Sequence, residues 1–192
     1  MLYDFSIETD AIEWKSYYKN RNKIFDIKNY TDDGFQKVCD VHALKSKREW
    51  VYLNIDKELM FSDHTSWVYF LVIDQSIVKC GETGNPLGIA STRTYYLNEG
   101  QPKTGSQSRL GRLRTQRGDT DEYLRESTRP YLKDGSQVSL WAKKCPIINK
   151  QATIAGKTTT VATTMHKDLE ISYLTYFKDN AGCLPLFNKA TK

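Results

Sequence analysis

The sequence predicts an α+β fold, a small antiparallel sheet flanked by helices. Three runs carry that prediction. Trp67 to Ile73 (WVYFLVI) is a continuous apolar and aromatic run of strand length, followed by a tight turn, Asp74-Gln-Ser76, and a returning strand, Ile77-Val-Lys-Cys80. Val138 to Cys145 (VSLWAKKC) alternates like a strand with one wet face, and Leu169, Tyr173, Tyr176 and Phe177 recur at helical spacing, so a C-terminal helix carries Glu170.

The remaining elements follow in chain order. A short helix is expected to open at Thr31 or Asp32, ahead of a strand-like run from Glu49 to Ile55. Gly81-Glu-Thr-Gly-Asn-Pro86 is expected to break the strand pattern, and Pro86 to start a helix through Ile89, Arg93 and Tyr96. Asn98 to Ser108, rich in Gly, Pro, Ser and Gln, reads as a loop. Leu110 and Leu113 then fit a short helix ending at Gly118, and a second helix runs from Thr120 to about Thr128, stopping before Pro130. Lys133-Asp-Gly135 is a turn, Asn149 to Thr160 an exposed loop, and the tail from Cys183 tucks against the body.

Composition excludes several classes. The chain has 192 residues, with 39% hydrophobic and 12% aromatic residues, too apolar for disorder and suited to one domain. No apolar run approaches the roughly 20 residues of a membrane-spanning helix. Asp4, Glu8 and Asp10 stand where a secretory signal would be basic and apolar, so a cytoplasmic protein is expected. Cys39, Cys80, Cys145 and Cys183 are isolated, with no C-x-x-C pair for zinc, and read as reduced core residues. The 28 Lys and Arg exceed the 23 Asp and Glu by five, and five basic residues with no acidic one fall in 102–118: Lys103, Arg109, Arg112, Arg114 and Arg117. That segment is a surface for a polyanion such as nucleic acid, a surface for an acidic membrane, or the solvated side of a short helix.

The hairpin motifs narrow these alternatives. Trp67-Val-Tyr69 and, ten residues beyond Tyr69, Lys79-Cys-Gly81 resemble the paired motifs of the GIY-YIG nuclease superfamily, with Trp67 in place of the first glycine and Lys79 in place of the second tyrosine, as in a few of its restriction enzymes. Later landmarks fall in family order: Arg93 after the hairpin, Glu170 on a downstream helix and Asn188 near the end. The run from Leu132 to Cys145 also resembles the segment that leads toward the metal-binding glutamate in a phage endonuclease of the family. The resemblance spans about Trp67 to Asn188, implying a nuclease-like core over 67–192 with a basic helical insertion at about 99–135, and leaves 1–66 as an N-terminal segment of unassigned role packed on the core.

The resemblance implies a phosphodiester hydrolase. Glu170 would hold a hydrated Mg²⁺ (or Mn²⁺) through one carboxylate, since magnesium keeps most of its waters. Tyr69 would face the attacking water, with its phenol, of pKa near ~10, activated by the Lys79 ammonium, or Lys79 would itself be the base. Arg93 would donate its planar fork to the scissile phosphate. Tyr96, His166 and Asn188 are candidate supporting residues. His166, four residues before Glu170, is either a second metal ligand or a surface histidine. Each has an ordinary competitor: a core tyrosine, an exposed lysine or arginine, a glutamate paired within its own helix, a polar tail. The expected partner is double-stranded DNA, gripped by the basic segment. The expected protein is a homodimeric, sequence-specific endonuclease of the type II restriction kind, since two sites related by a twofold axis cut both strands. A phage-type endonuclease of looser specificity and a non-catalytic DNA-binding module are the alternatives.

Overall fold

In a computed structural model, which describes residues 22–43, 50–60, 66–84, 96–97, 101–102, 113 and 119–188, the frame is a five-stranded antiparallel sheet. The strands are β1 (Gln36–Ala43), β2 (Trp50–Leu53), β3 (Trp67–Ile73), β4 (Ser76–Thr83), β5 (Tyr96–Leu97), β6 (Gln101–Pro102), β7 (Val138–Lys144), β8 (Ile147–Ile154) and β9 (Lys157–Thr164). The sheet is ordered β2-β1-β7-β3-β4, while β5 pairs with β6 and β8 with β9. Among the described residues the helices are α1 (Asn22–Phe25), α2 (Lys57–Met60), α3 (Asp119–Asp134) and α4 (His166–Ala181), with a 3-10 turn at Ile27–Tyr30. The α+β expectation holds. None of the described helices is long and apolar enough to cross a membrane.

β3 is buried at all seven residues, so the sheet is covered on both faces along it, which is what an uninterrupted apolar run requires. β7 buries Val138, Leu140 and Ala142 and leaves the residues between them wetter, as its alternation predicts. The β3–β4 turn places Asp74 (φ 45°) and Gln75 (φ 73°) in left-handed conformation, the twist that two-residue hairpins favour. The Asp74 N–H donates to Gln137 O at 2.9 Å, and its carboxylate accepts from Gln137 N–H at 2.8 Å, which ties the turn to the start of β7.

α4 packs across β3 and β4. Phe70 of β3 meets Phe35 face to face at 4.0 Å between centroids and Tyr173 of α4 edge-on at 5.5 Å, with Tyr30 and Phe177 completing the cluster. Burial of such rings, about 1.5–3 kcal/mol for a large apolar side chain, fixes the height of α4 on the sheet. Gly182 (φ 72°) ends the helix, its N–H donating to Lys178 O at 2.9 Å.

Six expectations about the elements are corrected. The first helical turn lies at Ile27–Tyr30 rather than from Thr31, because Asp26 is the cap, accepting from Lys28 N–H at 3.0 Å, while Thr31 donates its hydroxyl back to Lys28 O. β4 runs on through Gly81 to Thr83, paired with β3 as far as Trp67. Tyr96 lies in a strand, not at the end of a helix; residues 86–95 of that expected helix are outside the described residues. Gln101–Pro102, expected in a loop, pairs with it.

α3 continues through Pro130 to Asp134, because a buried stripe of Leu124, Thr128 and Tyr131 outweighs one lost N–H, and the helix ends at Gly135 (φ 89°). Asn149 to Thr160 is not a loop. It forms most of the β8–β9 ribbon, exposed along nearly all of both strands.

Candidate active site

Register decides which hairpin residues share a face. Tyr69 is opposite Gly81, and Leu71 opposite Lys79, so Tyr69, Lys79 and Gly81 project to the same side of the β3–β4 pair. The Tyr69 ring lies across Gly81: a β-carbon at position 81 would fall on the phenol's Cζ and hydroxyl oxygen. The glycine is therefore needed for the tyrosine's placement. Tyr69 is buried and Lys79 half-buried.

The neighbouring positions belong to the other side. Phe70 is opposite Cys80, and this is the face on which α4 lies. Glu170 falls on the sheet-facing stripe of α4, between His166 and Tyr173, and is half-buried. Its carboxylate is near enough to β4 to act on Cys80, whose thiol is pushed well above its ordinary range first by burial and then by Glu170's charge. The helix that carries Glu170 thus meets the edge strand at the residue between Lys79 and Gly81.

Asn188 closes the same strand from outside. Its Nδ2 donates to Cys80 O at 2.8 Å and its Oδ1 accepts from Cys80 N–H at 2.8 Å, while Phe187 N–H donates to Val78 O at 2.8 Å. Among the described residues β4 is the sheet's last strand, so these bonds satisfy backbone groups that no further described strand reaches.

His166 is not a surface histidine. It is nine-tenths buried at the first position of α4, with Nδ1 3.3 Å from Ser66 Oγ and Nε2 3.4 Å from Glu82 Oε2. A β-carbon at Gly84 would collide with its imidazole. Ser66, Glu82 and Gly84 went unnoticed in the sequence because nothing local links them; the pairing depends on β4 running past Gly81.

Arg93 and the basic residues Lys103, Arg109, Arg112, Arg114 and Arg117 lie outside the described residues, as does the side chain of Tyr96. Among the described residues no three His, Cys, Asp or Glu side chains form a cluster that could hold a metal. Glu170 and Glu82 are half-buried carboxylates on the α4 side of β4, the side opposite Tyr69 and Lys79; one carboxylate such as Glu170 suits a magnesium ion that keeps most of its waters.

No protein-family model matches the chain, and no curated protein matches it. Among solved structures, it is similar to a mutant of bacteriophage T4 EndoII at TM-score 0.48 and 19% identity, covering 86% of this chain and 99% of that one. It is similar to the restriction endonuclease HPY188I in complex with product DNA at TM-score 0.45 and 19% identity, covering 92% of this chain and 91% of that one.

Proposed function

We propose that the protein is a double-stranded DNA endonuclease of the GIY-YIG type, hydrolysing phosphodiester bonds with one Mg²⁺ or Mn²⁺ ion, and that it is a cytoplasmic, homodimeric enzyme of the type II restriction kind. The observation that carries this reading is the hairpin itself: Tyr69 laid over Gly81, with Lys79 on the same face, in the order and spacing of the family's paired motifs.

In this reading Tyr69 and Lys79 activate the attacking water. The phenol is too weak a base unaided, and a lysine on the same face favours its ionised form. Glu170 is the residue that would hold the metal, which supplies Lewis-acid stabilisation of the phosphate when bound. Arg93 is assigned to the scissile phosphate, and Lys103, Arg109, Arg112, Arg114 and Arg117 to the duplex backbone. Asn188 supports the site by fixing the backbone beside Lys79.

The test is cleavage of a phage genome by the purified protein with Mg²⁺, with cut ends sequenced. Defined ends at one short sequence are expected. Glu170→Ala should abolish cutting while leaving DNA binding intact, and Lys79→Met should slow it by orders of magnitude. Binding without cleavage on varied duplexes would replace the enzyme by a non-catalytic DNA-binding module, and cleavage at unrelated sequences would replace the restriction type by a looser phage-type endonuclease.

A further inference from the structure

The β8–β9 ribbon stands apart from the sheet, and its composition is unusual. Strands β8 and β9 carry two lysines, Lys150 and Lys157, and no Asp or Glu, with Lys143 and Lys144 of β7 and Lys167 of α4 beyond the ribbon's root. Both strands are exposed along nearly their whole length, and Ile154 at the tip is 57% exposed. Eight residues per strand at about 3.3 Å each give an arm of roughly 26 Å.

The register sorts the ribbon into two unlike faces. One carries Asn149, Gln151, Thr153, Thr158, Thr160 and Thr164, uncharged side chains with donors and acceptors at their ends, together with Ala162 and, at the root, Ile147. Gln151 Nε2 donates to Thr160 Oγ1 at 3.1 Å across the pair, which holds the amide in place. The other carries both of the ribbon's lysines, Lys150 and Lys157, with Ile148, Ala152, Ile154 and Val161 and the two threonines Thr159 and Thr163.

We infer that this ribbon enters the major groove of duplex DNA and reads bases with its amide and hydroxyl face, an inference that rests on the nuclease reading and adds its specificity element. A major groove about 12 Å wide admits a two-stranded ribbon. Asn and Gln match the N6 and N7 edge of adenine, and threonine offers both a hydroxyl and a methyl for thymine. Lys150 and Lys157 on the opposite face serve phosphates at the groove wall. A second copy of this chain fits less well: twofold pairing of the face with Lys150 and Lys157 would bring four lysines into one interface, with no carboxylate on the ribbon to offset them.

The ribbon's root lies at the candidate site. β8 follows β7 through Cys145, whose N–H donates to Ser66 O at 2.8 Å, and β9 leads into His166, held by Ser66 and Glu82. A groove contact made by the ribbon is thereby fixed relative to the Tyr69 end of the hairpin.

The experiment selects preferred duplexes from a randomised DNA library with the full-length protein in EDTA, and measures affinity for the selected and scrambled duplexes by fluorescence anisotropy. For Asn149→Ala with Gln151→Ala, discrimination should fall roughly ten-fold or more while affinity for scrambled DNA is kept. Lys150→Ala with Lys157→Ala should weaken both duplexes alike and lower the slope of log affinity against log salt by about 0.9 for each phosphate no longer neutralised. All substitutions are at exposed positions, and matching circular dichroism melts confirm the fold. Unchanged discrimination in the amide variant overturns the inference. So does a wild-type dimer that Ile148→Ser with Ile154→Ser converts to monomer at unaltered DNA affinity, since the ribbon would then serve a second copy. Selective binding without Mg²⁺-dependent cleavage would remove the nuclease reading and leave the ribbon's role standing.

Discussion

The carboxamide of Asn188 spans the backbone of Cys80, donating to its carbonyl and accepting from its N–H, both at 2.8 Å. One side chain takes the place of a sixth strand at the point of β4 flanked by Lys79 and Gly81. Asn188→Ala should destabilise the fold by about 1–3 kcal/mol in urea unfolding, because two partly buried backbone groups lose partners. Asn188→Asp separates the two bonds. A carboxylate still accepts from the N–H but opposes the carbonyl. When protonated it donates again. The Asp variant should therefore regain stability relative to wild type as pH falls through the ordinary carboxyl range near ~4, and a gap that stays constant with pH would reject this account.

Gly81 and Tyr69 are coupled by exclusion rather than attraction. Gly81→Ala puts a methyl where the phenol lies, and the displaced ring should cost about 1–3 kcal/mol. Tyr69→Phe keeps the ring, so it should not relieve the clash, whereas Tyr69→Leu frees the space and should. A double-mutant cycle by chemical denaturation measures the difference, with a favourable coupling expected only for the Leu pairing.

Legibility in the sequence followed the physics of each element. β3 and α4 were readable because burial on both faces, or on one helical stripe, leaves a periodic apolar record. The ribbon left none, since both its faces are wet. Its signal was propensity instead: ten of the sixteen strand residues of β8 and β9 are Val, Ile or Thr, flanking Ala155-Gly156, the central residues of a two-residue turn. Tyr69, Lys79, Glu170 and Asn188 are legible as candidates through motif order alone. The Ser66–His166–Glu82 contacts are not, because they join three segments distant in sequence, and Asn188's attachment depends on β4 being the last strand, a property of topology.

The β3–β4 turn holds stored strain that can be released. Gln75 sits at φ 73°, a left-handed conformation that costs a residue with a β-carbon about 1–2 kcal/mol. Its carbonyl accepts from Ile27 N–H at 3.0 Å, a backbone bond that any residue supplies. Gln75→Gly should raise stability by about 0.5–1 kcal/mol, the relief being reduced by glycine's larger unfolded-state entropy. The expected observation is a higher urea midpoint with an unchanged denaturant slope; a lower midpoint would mean that the Gln75 side chain contributes more than its backbone strain removes.

Asp40 gives the fold an acid-sensitive contact. Partial burial works to raise its pKa, but hydrogen bonds from Lys37 and Asn54, together with Lys37's charge, hold the carboxyl below its usual value. Lys37 Nζ lies 2.6 Å from Oδ1, and Asn54 Nδ2 donates to Oδ2 at 2.7 Å, joining β1 to the end of β2. A carboxyl depressed in the folded state contributes stability above its unfolded pKa near ~3.9, and that contribution disappears as pH falls through the folded value. Asp40→Asn should therefore lower stability at neutral pH and show a shallower loss between pH ~4 and more acidic conditions, followed by urea unfolding across that range. Lys37 is well exposed, with 43% of its side chain accessible, so solvent screening keeps the neutral-pH difference small, below about 1 kcal/mol. The diagnostic is the shape of the acid limb. Parallel curves for wild type and variant would show that Asp40 does not titrate with folding.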